Sequence, residues 1–420
     1  MTIVRRILLG LAGSSVLALA AVPANAMPRP QADEWWFAAW GVRSDVWPVT
    51  KGQGVTVAVL DTGVNASLPE LSGAVLKGDD TTGNRGDGRH DSDEKDGGHG
   101  TAMAALIAGQ GGGSTDFQGI APKAKILPVH VTSKLGDPAG LLQAYSAGIR
   151  LAVDRGAKVV NLSQGVNSET MPNHCDPRVQ QAIAYAIQHD VVVVASAGNE
   201  GTGANWPNLP ASCAGVLAVG AIDKSLGPWA ATQQQSYVAV SAPGVGPMID
   251  KDGRYHPNGW GTSMSAALTS GAVALIRSHN PEMPARTVVQ RLITTAHPLG
   301  PSKWNNRTGY GAIQITAAMN PERYPVPANA PNPVYEALEK WKASQPVAKE
   351  PSTARQGHSS NLPGERAHKG GRVSVTSIAV AGALVVILLV GAIVAIRKRP
   401  RGALSVSGTM PWGPGNDRRE

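Results

Sequence analysis

The sequence predicts an α/β fold, a mostly parallel central sheet covered on both faces by helices, with a membrane-spanning helix near the carboxyl end. Three observations carry this. Between residues 55 and 278, short apolar runs of strand length alternate with segments of helix length, which is the pattern of successive βαβ units. Polar residues collect where the apolar runs stop, at Asp61, at Asn161-Leu162-Ser163 and at Ser196-Ala197-Gly198-Asn199. In open α/β sheets ligands bind at the carboxyl ends of strands. Residues 375–396 carry no charge, a stretch long enough, at about 1.5 Å per residue, to cross roughly 30 Å of hydrocarbon.

In chain order, residues 1–26 read as a secretory signal. Arg5 and Arg6 make a basic start, 7–22 is mostly small or apolar, and Ala24-Asn25-Ala26 forms an A-x-A cleavage site. An N-terminal extension, 27–50, holds Trp35-Trp36, Trp40 and Trp47. The body, 51–320, opens on a buried strand at 55–60 that ends in Asp61-Thr62-Gly63. A helix of small residues at 101–108 follows Gly98-His99-Gly100. Strands are expected at 124–131, 158–162, 191–195, 216–222 and 236–241. Helices are expected at 139–154, closed by Arg155-Gly156, at 177–189 and at 263–278. Residues 321–374, rich in Pro, Ala, Ser and Lys, read as a linker with a short helix near 335–342. After the membrane helix 375–396, Arg397-Lys398-Arg399-Pro400-Arg401 reads as a stop-transfer cluster. This order places the body outside the cell membrane and the tail 397–420 in the cytoplasm.

Composition narrows the function classes. The chain has 420 residues, 42% hydrophobic and 16% charged, with 49 Gly. That excludes a charged disordered chain and suits a turn-rich globule. Two cysteines exclude a disulfide-framework miniprotein and a four-cysteine zinc site. The net charge of +8 sits in the two ends and the linker, and the body is close to neutral, which removes nucleic acid as a partner.

Four polar residues carry the chemistry, and each alone has a plain structural reading. Asp61 is a strand-end cap, or half of an aspartic-protease pair whose second Asp-Thr-Gly is missing. His99, in Gly98-His99-Gly100-Thr101, is a helix-start histidine. Ser263, in Gly261-Thr262-Ser263-Met264-Ser265, is a serine where a helix begins, beside free N–H groups and the positive end of the dipole. Asn199, in Ala197-Gly198-Asn199-Glu200-Gly201, is a turn asparagine. Together, in the order Asp, His, Ser, these blocks make the chain resemble the subtilisin-like serine proteases over about residues 50–320. Further blocks extend the resemblance: Gly119-Ile120-Ala121-Pro122, Val159-Val160-Asn161-Leu162-Ser163, Val219-Gly220-Ala221, Ala242-Pro243-Gly244 and Gly309-Tyr310-Gly311.

The resemblance implies a three-layer fold and a serine endopeptidase. Asp61 would hold the imidazole of His99, and His99 would take the proton of Ser263. Ser263 would form an acyl-enzyme, and the Asn199 amide with the Ser263 N–H would receive the oxyanion. Ser163, Gln164, Gly165, Ala197 and Gly198 would line the pocket for the residue before the cut, with the glycines leaving room for an apolar side chain. Three features depart from the family. Ala267 stands where proline is usual. Gln164 stands where an apolar residue is common, which would shift the pocket's preference. Residues 27–50 are too few for a separate inhibitory propeptide domain, so the enzyme is expected to fold unaided.

No cofactor is required by any spacing. The loop His90-Asp91-Ser92-Asp93-Glu94-Lys95-Asp96 could hold calcium, as subtilisins often do, but reads better as a solvated acidic loop. Cys175 and Cys213 face an oxidising exterior and are expected to pair, the alternative being two separate buried thiols. Signal, protease, Pro-rich linker, membrane helix and basic tail together resemble the mycosins, membrane-anchored subtilases of actinobacterial type VII secretion. That likeness implies the secretion membrane complex as partner and two jobs, cutting secreted proteins and stabilising the complex. A mainly structural module and a general surface protease are the alternatives.

Overall fold

The structure, a computed structural model, describes residues 29–132 and 137–345. The signal 1–26, the linker beyond 345, the span 375–396 and the tail 397–420 lie outside the described residues. In chain order the elements are α1 (Trp36–Ala39), β1 (Thr56–Asp61), β2 (Asp79–Asp80), α2 (His99–Ala108), β3 (Lys125–His130), α3 (Pro138–Asp154), β4 (Val159–Leu162), β5 (Val166–Asn167), α4 (Pro177–Gln188), β6 (Val192–Ser196), β7 (Asn208–Leu209), β8 (Leu217–Ile222), β9 (Val238–Pro243), β10 (Val245–Ile249), β11 (Tyr255–Trp260), α5 (Thr262–His279), α6 (Ala285–Thr294), α7 (Ile315–Met319) and α8 (Pro333–Ser344).

Seven strands form one sheet in the order β2-β3-β1-β4-β6-β8-β9, every neighbouring pair parallel. Successive residues of a strand point to opposite faces, and both faces here are covered. Val57, Val59, Val192 and Val194 look into one core with α2 and α5, while Ala58, Leu60, Val160 and Val193 look into another with α3 and α4. A strand buried on both sides reads as an unbroken apolar run, which is why these strands were legible as runs rather than alternations. The chain passes from β1 to β3 on one side and then to β4 on the other, so the order reverses between β1 and β4. A crevice opens at the carboxyl ends of such a pair. Asp61 closes β1, and Ser163 follows β4 directly.

Several boundaries differ from the sequence expectation. Residues 36–47 of the extension belong to the core. Trp36, Phe37, Trp40, Val42, Val46 and Trp47 are all buried in the α2/α5 core, and Trp47 Nε1 donates to the Ile120 carbonyl at 2.8 Å. The segment expected as linker from 321 packs on the body up to 345. Asn332 caps α8 by accepting from the Tyr335 N–H, and Val334, Tyr335 and Leu338 are buried. The strand expected at 236–241 lies at Val238–Pro243. The antiparallel pairs β10/β11 and β5/β7 had no visible pattern, because they are short and β10 and β11 are interrupted by Gly and Pro. Helix α5 runs unbroken through Ala267, since Pro favours a first turn without being required there. Among the described residues no helix is long and apolar enough to cross a membrane.

Cys175 and Cys213 form a disulfide across 38 positions of chain, Cα atoms 5.1 Å apart, at the edge of the α3/α4 core. Closing a loop of that length removes about 4 kcal/mol of denatured-state entropy in the chain-entropy model. Urea unfolding of a Cys175→Ala/Cys213→Ala variant is expected to show that loss; a midpoint equal to the wild type would contradict it.

Candidate active site

Asp61 is fully buried at the end of β1. Its Oδ1 accepts three hydrogen bonds: from the Thr62 N–H at 2.8 Å, from His99 Nδ1 at 2.8 Å and from Gln164 Nε2 at 3.1 Å. A carboxylate only accepts, so Nδ1 carries the proton and Nε2 of the neutral ring is left as a base. The close approach of α2 to β1 depends on Gly100, where a Cβ would lie 2.1 Å from the Gly63 carbonyl oxygen and 3.0 Å from the Asp61 Cβ.

The acidic loop before His99 is not simply solvated. Asp91 is 1% exposed, and it caps the start of α2. Its Oδ2 accepts from the Thr101 N–H and hydroxyl at 2.9 and 2.6 Å, and its Oδ1 from the Thr62 hydroxyl at 2.8 Å. Asp93 Oδ2 accepts from the His99 N–H at 3.1 Å, and Thr62 Oγ1 from the Gly100 N–H at 2.9 Å. The first N–H groups of a helix have no partner within it, so the loop supplies them. Burial pushes the Asp91 and Asp96 carboxyls up. Among the described residues no group of three or more His, Cys, Asp or Glu is arranged to hold a metal ion.

These charges set the basicity of His99. Burial works against the cation, but the charge and hydrogen bond of Asp61, with Asp93 and Asp91 behind it, outweigh burial and push the imidazole from 6.5 to about 9. The folded ring therefore holds its proton more tightly than the unfolded one. The stability this contributes is full below 6.5 and lost as pH rises through about 9. A base must be unprotonated, so any reaction in which His99 accepts a proton is expected to speed up as pH rises through that same range. Gln164→Leu removes one donor from Asp61 Oδ1, leaves more of its charge to the imidazolium, and should move this acid limb to higher pH. Superposable pH profiles would contradict the assignment of Gln164 to Asp61.

Ser263 stands in the first turn of α5, entered through Gly261 at φ 138°, a backbone region essentially reserved for glycine. The structure does not place its hydroxyl on His99. Ser263 Oγ donates to the Ser163 carbonyl at 2.7 Å, and no hydrogen bond joins it to the imidazole among the described residues. The helix is held to the end of β4 by Ser163 Oγ donating to the Ser263 carbonyl at 3.1 Å and by Ser270 Oγ donating to Asn161 Oδ1 at 2.9 Å. Asn199 Oδ1 accepts from the Thr262 N–H and hydroxyl at 3.0 and 2.8 Å. That fixes the amide so that its Nδ2 points away from Thr262 and stays a donor.

The residues expected to line a pocket lie around the ends of β4 and β6. Ser163, Ala197 and Gly198 join the ends of β4 and β6, where Ser196 Oγ donates to the Ser163 carbonyl at 3.2 Å. Neither glycine has room for a side chain of its own. A Cβ at Gly165 would lie 2.3 Å from Asn208 Nδ2, and one at Gly198 would lie 1.6 Å from Gln233 Oε1. Buried amides fill those positions. Gln164 turns to Asp61, with the Thr132 hydroxyl donating to its Oε1 at 3.2 Å. Asn208 and Gln233 escaped the sequence reading because each reaches the site from a distant stretch of chain, and the roles of Asp91 and Thr62 in capping α2 did so because they depend on how the loop packs.

The family model described as the subtilase family matches residues 52–311. The chain belongs to the subtilase family. A thermophilic serine proteinase from a Bacillus strain is 36% identical to this subtilase, over 55% of the chain and 54% of the relative. The chain thus spans about half of that proteinase's length. Mycosin-4 of Mycobacterium tuberculosis is 32% identical over 67% of the chain and 68% of the relative. Among solved structures, MycP1 from the ESX-1 type VII secretion system superposes with a TM-score of 0.62 at 27% identity, covering 74% of this chain and 91% of that one. MycP3 from the ESX-3 system gives 0.59 at 29% identity, covering 70% and 89%. This subtilase is therefore related to the mycosins.

Proposed function

We propose that the protein is a serine endopeptidase in which Asp61, His99 and Ser263 form the relay and Asn199 with the Ser263 N–H receives the oxyanion. The observation that carries this reading is the buried Asp61–His99 hydrogen bond of 2.8 Å, beside a serine at a helix start and an amide fixed by Thr262. Before reaction the Ser263 hydroxyl must leave the Ser163 carbonyl. Its proton then passes to His99 Nε2 as Oγ attacks the peptide carbonyl. The leaving amine takes that proton, and water repeats the sequence on the acyl-enzyme. A fluorophosphonate should label Ser263 in the wild type. Asn199→Ala should lower kcat by about 10²–10³-fold, with KM little changed, through loss of one oxyanion donor. An unlabelled Ser263 would overturn the reading.

We place the enzyme on the cell membrane, body outward, working beside a type VII secretion complex. The uncharged span 375–396 with its basic flank, and the relatedness to proteases of the ESX-1 and ESX-3 systems, support this reading. Comparing the secreted fraction of wild type, Ser263→Ala and a 375–396 deletion tests it. Loss of substrates' cleavage with the first variant marks a proteolytic role. Loss of secretion only with the second marks a stabilising one, and no change with either removes the secretion role.

A further inference from the structure

A second array of acid, imidazole and hydroxyl lies on the neighbouring strand. His130 closes β3 and sits in register with Asp61 of β1. Its Nδ1 lies 2.8 Å from Asp80 Oδ2, at the end of β2, and its Nε2 lies 3.0 Å from Ser92 Oγ, in the loop that leads to α2. The Asp80 and His130 side chains are only 9% and 13% exposed, whereas Ser92 is exposed to solvent. Burial works against the charge of Asp80, but hydrogen bonds from Thr82 and His130 outweigh it and hold the carboxyl below its usual range. The Asp80 carboxylate accepts the hydrogen bond from Nδ1–H, so in the neutral tautomer Nε2 faces the Ser92 hydroxyl as an acceptor. None of the three residues takes part in the hydrolysis proposed above.

We propose that Ser92 is a second activated nucleophile, open to small acyl or phosphoryl donors that carry a good leaving group and closed to peptide bonds. The restriction follows from what the site lacks. The Ser92 N–H donates to the Thr62 carbonyl at 2.9 Å, so it is not free to receive an oxyanion as the Ser263 N–H at a helix start is. A peptide carbonyl would develop its charge there without that donor. A fluorophosphonate needs less help, because fluoride departs readily. In that reaction Ser92 Oγ forms the new bond to phosphorus and the phosphorus–fluorine bond breaks. Fluoride leaves with the bonding pair, and the hydroxyl proton passes to His130 Nε2, while the other ring proton stays on Nδ1, hydrogen-bonded to the Asp80 carboxylate. The Thr62 carbonyl, 3.2 Å from the same oxygen, is a second acceptor for the one hydroxyl proton, which must point to His130 Nε2 before Ser92 reacts.

The test is adduct mapping by mass spectrometry on the full chain carrying Ser263→Ala, treated with an alkyl fluorophosphonate. Ser92 should be labelled about 10²–10³-fold more slowly than Ser263 of the wild type, for want of an oxyanion donor. It should be labelled about 10²-fold faster than the exposed Ser72, the lower end of what a positioned general base contributes. His130→Asn and Asp80→Asn, each made with Ser263 present, should bring Ser92 to the Ser72 rate. Continued labelling of Ser263 in the same sample reports that the fold is intact. The proposal is overturned if Ser92 stays unlabelled, if it reacts no faster than Ser72, or if either variant leaves its rate unchanged while Ser263 still reacts.

Discussion

Ser263→Ala is expected to lower kcat/KM for peptide hydrolysis by roughly 10⁶-fold, the loss that follows removal of the nucleophile in this fold, while leaving the protein folded. The nearly intact fold follows from the local hydrogen bonds. The Ser263 hydroxyl donates only to the Ser163 carbonyl, and that carbonyl also accepts from Ser196 Oγ at 3.2 Å. Removing the hydroxyl leaves no orphaned acceptor, so the cost to stability is about 1 kcal/mol or less. Steady-state hydrolysis of a peptide, set beside a thermal melt, checks both parts. Activity within about tenfold of the wild type would remove Ser263 from the chemistry, since a nucleophile's loss costs far more. The Ser92 array offers no rescue, because its own N–H is already engaged.

Deleting residues 29–50 is expected to unfold the body. Trp36, Phe37, Trp40, Val42, Val46 and Trp47 together fill one end of the α2/α5 core. At about 1.5–3 kcal/mol for each large apolar side chain removed from the interior, the loss is on the order of 10 kcal/mol. That is comparable to the whole stability of an ordinary domain. Two buried-side anchors go with it: Trp35 Nε1 to the Val245 carbonyl and Trp47 Nε1 to the Ile120 carbonyl, both 2.8 Å. The single change Trp36→Ala should cost about 3–5 kcal/mol. Circular dichroism of the truncated chain would settle the matter, a cooperative melt near the wild-type temperature being the contrary outcome. If the deletion does unfold the chain, this segment is part of the enzyme rather than a removable leader, whatever is cleaved ahead of it.

The six longer strands of the main sheet, helices α2 to α5 and the blocks around Asp61, His99, Asn199 and Ser263 were legible in the sequence because each is a local pattern. A strand buried on both faces must be apolar over its length, and a helix start beside glycine leaves its mark within a few residues. The order of the blocks then pointed to the chemistry proposed for them. Tertiary structure alone decided what joins distant stretches: Gln164 donates to Asp61 across 103 positions, and His130 reaches Asp80 across 50. Nothing in a window of sequence records such pairings, since they depend on which strands become neighbours. The acidic loop shows the same division. Its residues announce charge, but only packing against Thr62 and Thr101 turns Asp91 from a solvated carboxylate into the cap of α2. The tryptophan segment and α8 were visible as patterns too. Their place in the core was not, because an amphipathic stretch reveals that it will be buried without revealing against what.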